Sequence, residues 1–186
     1  MIEALSNIIT GFGLSASAGL NAYIPLLIVA LLARFTTLIH LKPPFDALTS
    51  GWAIAVLAIL VVVEALVDKI PAIDTVYNIA QTLARPAAGA ILFAASSKVI
   101  TDIHPVLALI CGLLVAGTVH AAKTAARPVI TATTAGVGNP IVSATEDVVS
   151  GTVSVVSIVM PLLAVILILI GALLLVRTLF GRETAT

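Results

Sequence analysis

The sequence predicts an all-α fold: a polytopic transmembrane helix bundle of about five spans, with short or broken helices and a weak internal repeat. Three observations predict it. The 186 residues are 60% hydrophobic and only 10% charged, whereas a soluble domain carries roughly 25% charged residues. The apolar runs are continuous, as in 162–170. A β-barrel would alternate apolar and polar side chains over ~10-residue segments, so the spans read as helices. Polar residues gather in three clusters, 15–21, 64–86 and 120–147, and charge inside a membrane is expensive unless it serves a purpose.

The first span is expected over 14–33. Ser15, Ser17 and Asn21 in its first half face protein or water, and Ala16, Ala18, Gly19 and Ala22 allow another helix to approach closely. Lys42-Pro43-Pro44 marks a loop. Ser50 caps a second span over 52–67, with Trp52 as an interfacial anchor. Pro71 breaks the chain. Residues 73–85 form a short amphipathic helix, with Ile73, Val76, Tyr77, Ala80 and Leu83 on one stripe and Asp74, Asn78, Gln81 and Arg85 on the other. This helix is expected at the interface or plugging a cavity mouth.

Arg85-Pro86 opens a segment over 87–100 that is short for a full crossing; whether it spans stays open, as does a total of four to six spans. Pro105 starts a span over 105–122. His120, Lys123 and Arg127 share a face if the helix continues. The stretch 131–140, rich in Thr and Gly and ending Asn139-Pro140, argues against regular helix. Ser143 to Glu146 reads as a capping box. The last span is expected over 161–176, after a bend near Pro161. The whole is expected to be one transmembrane domain over 1–186, with an N-terminal interfacial segment over 1–13 and a frayed polar tail over 181–186. With no Lys or Arg before Arg34, a cleaved signal peptide is not expected. Similarity of 81–86 to 123–128, and of 17–21 to 134–139, suggests duplicated halves.

With five spans, Arg34, Lys42, Lys98, Arg177 and Arg182 lie on one side, and Lys69, Arg85, Lys123 and Arg127 on the other. The second set is interleaved with acids, so the first is expected inside, with the C-terminus. Formal net charge is zero, so nucleic acid is not an expected partner. Cys111 alone makes no intrachain disulfide and reads as a small buried hydrophobe.

Glu64 and Asp68 share one helical face near a helix C-terminus, where carboxylates are disfavoured. Compensating cations are Lys69, Arg85, His120, Lys123 and Arg127. Asn21, Glu64, Asp68, Arg85, His120, Lys123 and Arg127 are therefore the candidate substrate-binding residues. The plainer reading is an ion network that clamps helix ends together, and His120 then hydrogen-bonds a neighbour rather than titrating. Gly136, Gly138, Asn139, Ser143, Glu146 and Asp147 form a second candidate set, a structural or anion-binding loop. Glu146 and Asp147 in the first turn favour its structural reading. No catalytic order of Ser, His and Asp and no zinc signature is present. No enzyme activity, metal or cofactor is expected.

The run 13–27, with 64–74, 85–90 and 139–147, resembles the bacterial membrane family catalogued as domain of unknown function 4126. The resemblance covers nearly the whole chain. It implies an integral membrane protein of several helices and carries no activity to any residue. The expected function is a small bacterial inner-membrane, multi-pass transporter or channel for a small polar or ionic solute, in the lipid bilayer, as a homo-oligomer or within a larger membrane complex. The alternative is an accessory or scaffold subunit of such a complex.

Overall fold

The structure is a computed structural model that describes residues 2–67, 71–96 and 104–180. Among those residues every regular element is a helix: α1 (Ile2–Leu20), α2 (Tyr23–Phe35), α3 (Gly51–Val67), α4 (Pro71–Ser96), α5 (Pro105–Thr134), α6 (Asn139–Val159) and α7 (Pro161–Phe180), with a 3-10 turn over Phe45–Thr49. α1 is the central rod, packed by α4, α5, α6 and α7, and the most extensive helix pair is α4 with α5. Small residues make this possible. A side chain at Gly19 would meet the Ala116 carbonyl and Val119 at 2.6 Å, and one at Gly112 would run into the Gly89 carbonyl. Backbones this close gain dispersion contacts along their whole length. The apolar core gathers around Leu14, Ala18, Leu26, Val29, Leu92 and Ala116. Phe12 and Phe93 meet edge to face at 5.0 Å.

The first expected span is two helices. Asn21 leaves the helical path, and its Oδ1 accepts hydrogen bonds from the Tyr23 and Ile24 N–H groups, each at 3.0 Å. An Asn side chain that bonds the backbone offers it an alternative to the helix ladder, so α1 stops at Leu20 and α2 starts two residues beyond Asn21. Residues 2–13, expected as a separate interfacial segment, are the first part of α1.

Two proline breaks expected from the sequence do not occur. α4 runs through Pro86, joining the expected helix 73–85 to the segment from 87. α5 runs through Pro128 to Thr134. Each proline leaves the carbonyl four residues earlier without its helical N–H, and packing of α4 on α1 and α5 outweighs that loss at Pro86. The α5 helix ends where Ala135 and Gly136 take positive φ, 50° and 83°. α6 starts at Asn139 with Pro140 in its first turn, so the expected capping box at Ser143 is a correction: Ser143 lies inside the helix and is bonded by Arg127 instead. The Ser50 cap is present, with the Ala53 N–H 3.2 Å from Ser50 Oγ. α6 and α7 part at Met160, as Pro161 dictates. Residues 97–100 and 181–186 lie outside the described residues.

Charged and amide side chains are buried alongside the apolar core, and many large apolar side chains stand on the surface. Glu64, Gln81, Arg85, His120 and Lys123 are buried, while Trp52, Ile59, Val62, Leu114, Leu162 and Leu169 stand exposed. α4 shows this clearly. Gln81 and Arg85 of its polar stripe are each 1% exposed, and Leu83 of its apolar stripe is 79% exposed. Among the described residues two helices, α5 and α6, are long and apolar enough to cross a membrane, and shorter apolar helices accompany them.

Candidate functional site

Two polar clusters meet on α5. The first joins α3, α4 and α5. Arg85 Nη2 donates to Glu64 Oε1 across 3.0 Å, with both side chains 1% exposed. Arg85 Nη1 lies 3.3 Å from His120 Nδ1. A guanidinium only donates, so Nδ1 is the acceptor and the proton of a neutral ring sits on Nε2. That nitrogen lies 3.3 Å from Thr82 Oγ1. A charged hydrogen-bonded pair this deep persists only because each partner compensates the other.

The second cluster joins α1, α5 and α6. Lys123 lies one turn beyond His120 on α5. Its Nζ donates to the carbonyl oxygen of Leu20 at 3.0 Å and pairs with Glu146 Oε2 at 2.7 Å. Arg127 Nη2 donates to Ser143 Oγ at 2.7 Å and lies 3.7 Å from the same Glu146 oxygen. Asn21 Nδ2 donates to Asp147 Oδ1 at 2.8 Å. The break between α1 and α2 is therefore held at both ends: a cation on the last carbonyl of α1, and the Asn21 oxygen on the first N–H groups of α2. Both satisfy groups that a helix end leaves unbonded.

From this cluster a seam of hydroxyls runs between α1 and α6. Ser150 Oγ donates to the Ser17 carbonyl at 3.0 Å, Ser17 and Ser154 hydroxyls meet at 2.8 Å, and Thr10 Oγ1 donates to the Ser157 carbonyl at 2.8 Å. At the far end of the seam a cavity of about 120 Å³ is lined by Ser6, Asn7, Thr10, His40 and Ser96 among others. On the outside, between α4 and α5, an open groove of about 480 Å³ is lined by Thr82, Pro86, Gly117, His120, Ala121 and Thr124.

The structure thus brings Glu64, Arg85 and His120 together, and brings Asn21, Lys123, Arg127, Ser143, Glu146 and Asp147 together beside them. Asp68, the other half of the expected acid pair, and Lys69 lie outside the described residues. Gly136, Gly138 and Asn139 stand apart from the buried clusters. Asn139 exchanges hydrogen bonds with Thr131, itself exposed, and Gly136 and Gly138 are partly exposed in the turn between α5 and α6. The sequence leaves these residues as a structural or anion-binding loop and favours the structural role. Their backbone ends one helix and begins the next in a turn that is partly to fully exposed.

Sequence reasoning passed over Thr82, Gln81, Tyr77 and the serines of α6. The polar stripe of α4 carries the signal for Gln81, but a helix expected at the interface or plugging a cavity mouth does not place that residue inside the bundle. The α6 serines recur at 150, 154 and 157, a helical spacing that marks one face. Among the described residues no group of three His, Cys, Asp or Glu side chains is arranged to hold a metal ion.

The profile of the family described as "Domain of unknown function (DUF4126)" matches residues 8–180. The chain belongs to this family. No curated protein and no solved structure matches it. In this DUF4126 chain the matched region contains both clusters and all the candidate residues. Chemically, the Glu64–Arg85–His120 unit can hold a polar group inside an apolar bundle, and the Lys123 unit can lock or release the break between α1 and α2.

Proposed function

We propose that this chain is a non-enzymatic, multi-pass protein of the bacterial inner membrane that carries a small polar or ionic solute across the bilayer. The observation that supports this reading most is the buried ion pair of Glu64 and Arg85, continued by His120 and Thr82 towards the groove between α4 and α5. Ionisable groups buried in an apolar bundle mark solute or ion paths. The interrupted helix at Asn21, with its ends held by Lys123 and by the Asn21 side chain that Asp147 anchors, adds a second support, because discontinuous helices form the binding sites of many transporters.

A second reading, an accessory subunit of a larger membrane complex, is favoured by the full engagement of Lys123 with Leu20 and Glu146, which is what a fixed clamp requires. Flux in proteoliposomes separates the two. Wild type is compared with Glu64→Gln over a panel of ions and small metabolites. Transport predicts a flux that the substitution changes. If no solute moves faster than through protein-free vesicles, or if the substitution leaves every flux unaltered, the transport reading is lost.

A further inference from the structure

Three polar groups along one face of α4 are buried without a well-formed hydrogen bond. Gln81 is 1% exposed, and neither its Nε2 nor its Oε1 has a bonding partner. Arg85 spends Nη2 on Glu64 and Nη1 on His120, but its buried Nε is unbonded. The Tyr77 hydroxyl is also buried and lies near Gln81 and Tyr23 without an aligned bond to either. The three residues recur every fourth position, so they form a row along roughly 12 Å of helix. Buried polar groups in native proteins are nearly always bonded, and an exception calls for a reason. Packing supplies none here, because Leu or Met fills the volume of Gln without an amide to satisfy.

The charge and the valences of the row indicate what it would bind. Glu64 neutralises Arg85 at 3.0 Å, so a bare anion gains no uncompensated positive charge, and a bare cation meets the guanidinium. What the row offers is mixed: donors on Gln81 Nε2, Arg85 Nε and the Tyr77 hydroxyl, and acceptors on Gln81 Oε1 and the same hydroxyl. We propose that Tyr77, Gln81 and Arg85 form a binding row for a small uncharged molecule that both donates and accepts hydrogen bonds. This rests on the transport reading above and narrows its solute to the uncharged class.

The test uses proteoliposomes of the full chain under osmotic challenge. Water, urea and glycerol entry are followed by stopped-flow light scattering, and K⁺ and Cl⁻ flux by trapped fluorescent probes. Unfolding midpoints of the same preparations are measured in detergent. The expected result is entry of at least one uncharged probe above the protein-free rate. Gln81→Leu lowers that entry to the protein-free rate, with an unfolding midpoint equal to wild type or higher. Water alone, or urea or glycerol as well, equally supports the row and sizes its occupant. Flux of ions alone overturns the inference and leaves the transport reading standing. No flux of any probe overturns the inference, and the transport reading falls with it only when the wider panel of ions and metabolites is also silent. Uncharged flux that Gln81→Leu leaves intact overturns the inference, as does a lowered midpoint in both Gln81→Leu and Gln81→Met, since the amide would then be bonded within the protein.

Discussion

The ammonium of Lys123 on α5 sits 3.0 Å from the carbonyl oxygen of Leu20, the last residue of α1. The end of α1 carries carbonyls without helical partners and partial negative charge, and Leu20 there is partly withdrawn from the surface. The same ammonium holds Glu146 of α6 at 2.7 Å. One side chain therefore ties three helices at the point where α1 breaks. Lys123→Met is expected to destabilise the protein by about 1.5–3 kcal/mol, the range of a hydrogen bond to a charged group. Adding Glu146→Gln recovers part of that loss, because the carboxylate left behind keeps, among the described residues, the longer 3.7 Å pairing with Arg127 for compensation. Thermal unfolding in detergent checks both; a Lys123→Met protein as stable as wild type removes the clamp from the account.

Asn21 uses both ends of its amide, one to cap α2 and one to hold Asp147. Asn21→Asp keeps the cap oxygen but replaces the donor with a second carboxylate facing the first. Like charges at this spacing repel, so the variant is expected to be less stable than wild type although Asp is an equally good cap. Asn21→Asp combined with Asp147→Asn restores one amide and one carboxylate in exchanged places. The double variant is expected to unfold later than Asn21→Asp alone. A double variant weaker than both singles would mean that the Asn21–Asp147 contact does not set this break.

The helical class of this chain is legible in its composition, because continuous apolar runs with so few charges admit little else. The helix breaks are less so. Asn21 sits in an unbroken small-residue stretch and ends α1 through a hydrogen bond to Tyr23 and Ile24 that depends on rotamer, not on pattern. Pro86 and Pro128 are the reverse case: local rules stop a helix there, yet both helices run on, at Pro86 with the packing of α4 on α1 and α5 behind it. In the site, periodicity places Gln81 and Arg85 on one face of α4 but does not say which face points inward. A rule learned from water puts the polar face outside, and this bundle buries it. That Arg85 meets both Glu64 and His120 follows from how α3, α4 and α5 cross, which no single segment encodes.

The pairing of Glu64 with Arg85 sets up a test of non-additivity. Glu64→Leu or Arg85→Met alone leaves one charge buried, and each is expected to destabilise by about 3–5 kcal/mol. With both replaced, no such charge remains, and a buried pair exchanged for apolar groups is often neutral. The double variant is expected to lose clearly less than the sum of the singles. Unfolding midpoints of the four proteins give the coupling directly. Additive losses would mean that the two side chains contribute independently despite lying 3.0 Å apart.

Two glycines on α5 distinguish close packing from helix propensity. A methyl group at Gly112 would collide with the Gly89 carbonyl and lie 2.7 Å from Phe93 Cβ, so backbone must move. Overpacking of this kind is expected to destabilise Gly112→Ala by about 1–3 kcal/mol. Gly117, further along the same helix, faces only Pro86 Cγ at 3.8 Å, an ordinary contact. There Ala relieves the entropy penalty of a mid-helix glycine, and Gly117→Ala is expected to gain roughly 0.5–1 kcal/mol. Opposite signs at two positions of one helix, read from thermal unfolding of the two variants, would locate the tight α4–α5 crossing at Gly89 and Gly112. Equal losses at both would place that crossing elsewhere along α5, nearer the groove that Gly117 lines.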